Sequence, residues 1–168
     1  IESIKLSTKS YVPDWHPYEN FRELYACRRD LGGGVLSTEC HELDIITSIL
    51  GEPSNKLVIK KQNNLLELDV EDTAKISLNY NDFNVEINLC FMDKNQERFL
   101  NLIGSKGRVY LDLNNQVLKI NYFDDKKDEI FSENITNDTL FNKQIESFLG
   151  KKLYSCEDYL DSLIINSK

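Results

Sequence analysis

Apolar residues alternate with polar ones through much of the middle of the chain. The clearest case is residues 74–80 and 85–91, which are separated by Asn81-Asp82. Strict alternation is typical of half-buried strands, and two such runs around a short polar turn predict a β-hairpin. The same pattern predicts six or seven strands in mostly antiparallel succession, the others being at residues 1–11, 57–61, 98–103, 108–113 and 117–123.

A second periodicity, with helical spacing, lies on both sides of this region. Apolar residues recur at that spacing from Val35 to Leu50, where Gly51-Glu52-Pro53 ends the helix. Residues 12–20 predict a loop, 21–30 a short helical segment, 140–149 a helix and 155–164 a last helix. The order predicts a single α+β domain over 1–168, an open, mostly antiparallel sheet with helices on one face. The alternation of apolar and polar residues predicts that the other face of the sheet is exposed to solvent or covered by a partner.

Composition narrows the classes of partner. The chain has 168 residues and a net charge of −8, which argues against nucleic acids and anionic membranes, since both require a basic surface. No segment has the length of a membrane span. The four cysteines are scattered and only two histidines are present, so we expect reduced thiols in a cytoplasmic protein and no metal site. The start at Ile1, without a signal-like segment, suggests a part of a longer chain.

The candidate for chemistry is His41. Gly32, Gly33 and Gly34 precede the predicted helix and would let another molecule approach the backbone, and the first turns of that helix carry His41. An imidazole in such a place can act as a general base. A core or helix-capping histidine is the alternative interpretation.

A polar-aromatic cluster precedes the glycines. Sugar rings stack on aromatic faces, and an arginine fork binds carboxylate or phosphate, so an acidic sugar or nucleotide sugar would suit it. Ordinary surface arginines and a loop-anchoring tryptophan are the alternative. Arg22 and Tyr25 are favoured because their spacing places them on one helix face. The cluster comprises Trp15, His16, Tyr18, Arg22, Tyr25 and Arg28.

Several motifs, in order, resemble the second domain of the Gfo/Idh/MocA oxidoreductases. G-G-G-V-L-x-x-x-x-H-E-L-D is followed by I-I-T-S-I-L-G-E-P. S-Y-V-P-D-W-H-P-Y-E-N-F-R-E-L-Y resembles a substrate-side loop of one branch of the family. F-L-N-L-I-G-S-K-G-R-V-Y-L-D-L resembles its strand–turn–strand element, and the segment from Phe141 to Leu163 resembles its closing helices.

The resemblance implies a parent enzyme that uses NAD or NADP to oxidise a sugar, nucleotide sugar or similar polyol. A Rossmann domain, absent here, would bind the dinucleotide and supply the family's lysine, so this chain would bind no cofactor and be inactive alone. His41 corresponds to the family's histidine, the base or the lysine's partner. Ser37 and Thr38 stand where the family often has an aspartate, and we expect them to contact the substrate. Glu39 lies on another part of the predicted helix face.

The resemblance also implies assembly, as a homodimer or homotetramer through the sheet face. The departure at Ser37 and Thr38 leaves an alternative open: a non-catalytic sugar-binding or assembly module with the same fold.

Overall fold

The computed structural model describes residues 1–150. The chain divides into two compact units, Ile1–Ser132 and Glu133–Lys168, and the second is described as far as residue 150. The last predicted helix, at 155–164, lies outside the described residues. That residues 1–168 form a single domain stays a prediction.

The first unit is built on one eight-stranded sheet in the order β2-β3-β4-β1-β5-β6-β7-β8. Of the neighbouring pairs, β1 and β4 are parallel and the others antiparallel. The predicted strands are confirmed, and β8 was missed because four residues are too few to show alternation. The strands are β1 (Ser3–Tyr11), β2 (Asn55–Lys61), β3 (Thr73–Asn79), β4 (Asn84–Cys90), β5 (Met92–Gly104), β6 (Gly107–Asp112), β7 (Val117–Tyr122) and β8 (Glu129–Ser132).

The hydrophobic core lies on one face of β1, β3 and β4. Residues directly opposite in a sheet share a face, and Leu6 lies opposite Ile87, which lies opposite Ile76. All three are buried, and Val35 and Ile46 of the helical layer belong to the same buried cluster. Burying each such side chain contributes about 1.5–3 kcal/mol. The structure thus confirms the α+β prediction of an open, mostly antiparallel sheet with helices on one face.

The short helical segment predicted at residues 21–30 is instead a series of 3-10 turns, at Phe21–Glu23, Tyr25–Cys27 and Arg29–Leu31. The backbone is extended at Leu24 (ψ 143°) and at Arg28 (ψ 124°), and these two residues interrupt any helix. A further 3-10 turn, Val12–Asp14, begins the predicted loop at 12–20.

The single helix predicted from Val35 to Leu50 is wrong. Two helices, α1 (Val35–Thr38) and α2 (His41–Leu50), are separated where Glu39 adopts φ −100° and ψ 36°. Serine, threonine and cysteine, which flank this break, are weak helix formers. The apolar stripe of a continuous helix would bury Cys40, but Cys40 is exposed.

An ion pair joins the buried Glu42 of α2 to the partly exposed Arg98 of β5. Glu42 is 1% exposed, and its Oε1 accepts a hydrogen bond of 2.6 Å from Nε of Arg98. Its second oxygen, Oε2, is buried without a hydrogen-bond partner among the described residues. A carboxylate in this position depends on its one cation, because water cannot replace the lost solvation.

In the second unit, the helix predicted at 140–149 is α3 (Asn137–Phe148), which begins three residues earlier than predicted. The Thr136 hydroxyl accepts a hydrogen bond of 3.3 Å from the Thr139 backbone and caps the helix. Within residues 1–150, no helix is both long enough and apolar enough to span a membrane.

Replacing Arg98 with methionine should destabilise the fold by about 3 kcal/mol, because Glu42 would stay buried without its cation. The free energy of unfolding, from urea titration followed by circular dichroism, measures this loss. The double variant Arg98→Met/Glu42→Leu should recover most of it, since an apolar pair removes the buried charge. Equal losses in the single and double variants would contradict this account.

Candidate functional site

The three glycines are used by the chain itself. A Cβ on Gly33 would collide with the backbone carbonyls of Tyr25 and Ala26, and one on Gly34, at φ 116°, would lie 2.6 Å from a carboxylate oxygen of Glu71. These two residues are therefore glycine because neighbouring segments press against them. The backbone N–H groups of the three glycines all donate hydrogen bonds within the chain, to the carbonyls of Arg29, Arg28 and Ala26, so they are not free to bind a pyrophosphate.

His41 is the first residue of α2 and is exposed. The sequence predicted that His41 lies in the early turns of a longer helix. Because the helix is interrupted at Glu39, His41 instead lies at the start of α2. The next residue, Glu42, points into the protein and binds Arg98, so the first turn of α2 is fixed to the sheet. An exposed imidazole is thus presented by an anchored backbone.

Glu39, which the sequence analysis placed on another part of the predicted helix face, belongs with His41 in the candidate site. It lies in the break between α1 and α2 and is half-buried. Burial raises the pKa of its carboxyl, the negative charge of Glu42 raises it further, and the charges of Arg98 and His41 oppose the shift. Glu39 therefore lies within electrostatic reach of His41 and holds a proton at higher pH than an ordinary glutamate.

The two residues at the position of the family's aspartate differ in environment. Ser37 is exposed, whereas Thr38 is half-buried. The Thr38 hydroxyl oxygen is buried and has no hydrogen-bond partner among residues 1–150. The exposed Ser37 hydroxyl is accessible to a ligand, the Thr38 hydroxyl is not, and neither supplies a negative charge.

A cavity of about 280 Å³ brings two of the predicted substrate residues together, Arg22 and Arg28. Nη2 of Arg22 lies 3.1 Å from Glu67, and Nε of Arg28 donates a 2.9 Å hydrogen bond to Asp30. The lining contains two arginines and four carboxylates, so the ionised side chains around the cavity carry a net negative charge. It is lined by Arg22, Glu23, Cys27, Arg28, Asp30, Glu67, Leu68 and Asp69.

The cysteine in this lining is not a nucleophile. Burial raises the pKa of Cys27 to about 11, so its thiol stays protonated near neutral pH. Among the described residues, no group of three or more histidine, cysteine or acidic side chains could hold a metal ion.

The remaining residues of the predicted cluster do not line this cavity. The Trp15 ring is half-buried and packs edge-on against Phe91, with ring centroids 5.2 Å apart, which fits the loop-anchoring interpretation. His16, Tyr18 and Tyr25 are exposed. Because the backbone is extended at Leu24, the argument that Arg22 and Tyr25 share a helix face does not hold.

Comparison with known proteins gives a family match over nearly the whole chain. Residues 5–164 match the family model described as "Oxidoreductase family, C-terminal alpha/beta domain". No curated protein sequence matches the chain significantly.

Solved structures share the fold at low sequence identity. An inositol dehydrogenase homolog from Azotobacter vinelandii, complexed with NAD+, is 12% identical with a TM-score of 0.65, and the match covers 82% of this chain and 38% of the homolog. UDP-N-acetylglucosamine 3-dehydrogenase GnnA from Acidithiobacillus ferrooxidans is 11% identical with a TM-score of 0.63, and the match covers 90% of this chain and 46% of GnnA. A super-repressor mutant of Gal80p from Saccharomyces cerevisiae is 17% identical with a TM-score of 0.68, and the match covers 91% of this chain and 46% of Gal80p.

The chain thus spans less than half the length of these three proteins. The portion it matches agrees with the family model and with the eight-stranded sheet and its helical layer described above. The chain belongs to the Gfo/Idh/MocA oxidoreductase family, as its C-terminal alpha/beta domain.

Proposed function

We propose that this chain is the substrate-binding and assembly domain of a cytoplasmic oxidoreductase that uses NAD or NADP and acts on a sugar, nucleotide sugar or similar polyol. The observation that supports this most is His41, an exposed imidazole on a helix start that the Glu42–Arg98 pair anchors to the sheet. The dinucleotide would be held by a separate Rossmann domain, since the glycine turn of this chain is filled by its own residues. This chain alone would be inactive.

The chemical role of His41 is proton transfer. Oxidation of a carbinol to a ketone removes the hydroxyl proton and a hydride from the adjacent carbon. A neutral imidazole can accept the hydroxyl proton as a general base. The hydride acceptor would have to come from the other domain.

Two neighbours of His41 would assist it. Glu39, whose charge acts on His41, would take the orienting role of the aspartate that the family often has. Ser37, which is exposed, would offer its hydroxyl to a substrate oxygen, whereas the hydroxyl oxygen of Thr38 is buried.

The cavity at Arg22 and Arg28 would bind further parts of the substrate. Its four carboxylates and two already paired arginines favour hydroxyl groups over an acidic sugar, because carboxylates accept hydrogen bonds from hydroxyls and repel anions. His16, Tyr18 and Tyr25 are exposed and stay candidates for substrate contacts, whereas the Trp15 ring packs against Phe91.

His41→Asn should lower kcat by about 10²–10⁴-fold, the usual contribution of a general base. The assay uses a protein that joins this chain to a dinucleotide-binding domain, with myo-inositol and UDP-N-acetylglucosamine as trial substrates. Thermal stability should be unchanged because His41 is exposed. Ser48→Ala, an exposed position on the same helix, is the control and should keep full activity. Unchanged turnover in His41→Asn would refute the role of His41.

A second candidate function is a non-catalytic sugar-binding or assembly module. Ser37 and Thr38 remove the expected negative charge, and the fold similarity to Gal80p extends to a protein described as a super-repressor mutant. The same assay separates the two functions, since a module of this kind would bind a sugar without oxidising it.

Assembly as a homodimer or homotetramer is proposed to use the sheet face opposite the helices. On β5 and β6 this face carries a stacked pair, Phe99 and Tyr110, with ring centroids 5.6 Å apart. Ile103 lies on the same face. Apolar side chains there could pack against a second copy.

Tyr110→Asp should shift the chain toward monomer, because a buried aspartate at the interface of two copies would be unpaired. Sedimentation velocity at several concentrations measures the effect. Phe123→Asp, at an exposed aromatic residue after the end of β7, is the control and should leave association unchanged. A wild-type chain that is monomeric at high concentration would argue against this interface.

A further inference from the structure

The strand β2 forms one edge of the eight-stranded sheet and is exposed along its whole length. Among the described residues it pairs with β3 alone, in an unbroken register from Asn55 to Lys61. On its free side, alternate residues of β2 therefore direct backbone N–H and C=O groups away from the sheet. Such an edge can accept a further strand through main-chain hydrogen bonds.

The two edges of the sheet are built differently. Proteins protect an edge strand by making it short, or with proline, a bulge or charged residues. The strand at the other edge, β8, has only 4 residues, whereas β2 has 7 and no proline. The apolar centre of β2 is Leu57, Val58 and Ile59, whose exposed fractions are 60%, 40% and 48%. Protection of this edge is left to the lysines on either side of the apolar centre, Lys56, Lys60 and Lys61.

The positions of these lysines disfavour pairing of β2 with a second copy of itself. In a symmetric antiparallel pair that uses the whole strand, Val58 lies on the two-fold axis, and Lys56 of each copy lies directly opposite Lys60 of the other. Like charges directly opposite each other destabilise a pair of strands. A different strand, with carboxylates at those positions, would meet opposite charges instead.

The charge of β2 also differs from that of the chain as a whole. The chain has a net charge of −8, whereas β2 contains three lysines and no acidic residue. Of the three, Lys60 alone forms a salt bridge with a described residue, at 3.7 Å from the Glu71 carboxylate, and an exposed pair of this kind is weak. Directly opposite the three lysines, β3 carries the uncharged residues Leu78, Ala74 and Thr73.

We propose that β2 binds an acidic, extended peptide segment of another protein, which joins the sheet as a further strand antiparallel to β2. Main-chain hydrogen bonds would supply affinity, and alternate side chains would supply specificity. Apolar side chains of the segment would lie opposite the apolar centre, and carboxylates would lie opposite the three lysines. This edge includes neither His41 nor the Phe99–Tyr110 pair, so the proposal does not depend on the catalytic role or on assembly.

Fluorescence anisotropy with the 168-residue chain and a labelled peptide tests the proposal. The peptide is acetyl-E-E-V-I-V-E-T-amide, whose residues in antiparallel order fall opposite Lys61 back to Asn55. It should bind saturably. A scrambled peptide of the same composition should bind at least about ten-fold more weakly, equivalent to about 1.4 kcal/mol, because its carboxylates no longer match the lysines.

Two N-methylated forms of the peptide distinguish strand addition from simple charge attraction. N-methylation removes a backbone donor, and alternate N–H groups of a strand point to opposite edges. One form is methylated at its second, fourth and sixth residues, and the other at its third, fifth and seventh. Only the N–H groups that face β2 matter, so one form should keep its affinity within about three-fold and the other should lose at least about ten-fold.

Charge complementarity is tested in the protein itself. Lys56→Gln/Lys61→Gln should weaken peptide binding by about three- to ten-fold, because it removes two ion pairs at exposed positions. The matched control Lys106→Gln/Lys127→Gln makes the same change in net charge at exposed positions elsewhere, and it should stay within about two-fold of the wild type. Thermal melts establish that each variant is folded.

Any of four results would overturn the proposal. Absence of saturable binding by the unmodified peptide would show that the edge accepts no such strand. Equal binding by the two methylated peptides, or its loss in both, would exclude backbone pairing with β2. Equal weakening in the two double variants would show a general charge effect. Self-association of the chain that Val58→Lys abolishes, without peptide binding, would assign this edge to a second copy.

Discussion

The buried pair between Glu42 and Arg98 determines the geometry of the candidate site. A carboxylate that is 1% exposed is costly unless a cation accompanies it, and the cation comes from β5, 56 positions along the chain. Meeting Arg98 requires Glu42 to turn inward at the start of α2, which is compatible with a helix that begins at His41 rather than at Val35. The outward position of His41 and the half-buried position of Glu39 follow from the same break.

Alternation along each strand decides which side chains lie on each of the two faces of the sheet. Alternate residues of each strand point to opposite faces, so the register that packs Leu6 against Ile87 also places Ser7 opposite Asn88 on the other side. The core-forming half of the sheet therefore carries polar residues such as Lys5, Ser7 and Asn88 on its outer face. The β5–β6 half carries the Phe99–Tyr110 stack on that face, and Phe99 lies directly opposite Ser7 of β1.

Several features that suggest a ligand in the sequence are occupied by intramolecular contacts. Arg22 and Arg28 could grip a carboxylate or phosphate, but each already binds a carboxylate of this chain. Trp15 could stack on a sugar, but its ring packs against Phe91. Gly33 and Gly34 could admit a ligand, but backbone and side-chain atoms fill the space beside them. Because so many surface groups bind partners within the chain, few positions are left free for a ligand, and the exposed His41 and Ser37 are among them.

The sequence by itself determined seven of the eight strands, the hairpin at Asn81-Asp82, the fold class and the family. These depend on periodicity and on short motifs, which the geometry of a strand or a helix imposes locally. The same local patterns placed His41 near the start of a helix. They could not locate the break at Glu39, because the helical spacing of apolar residues continues through it.

Only the tertiary structure decided which side chains meet. Arg22 pairs with Glu67 across 45 positions, and Arg98 pairs with Glu42 across 56 positions. The sheet likewise depends on a strand order that includes the parallel pairing of β1 with β4. No local pattern encodes that order, because an alternating strand can pair with any neighbour that continues its buried face.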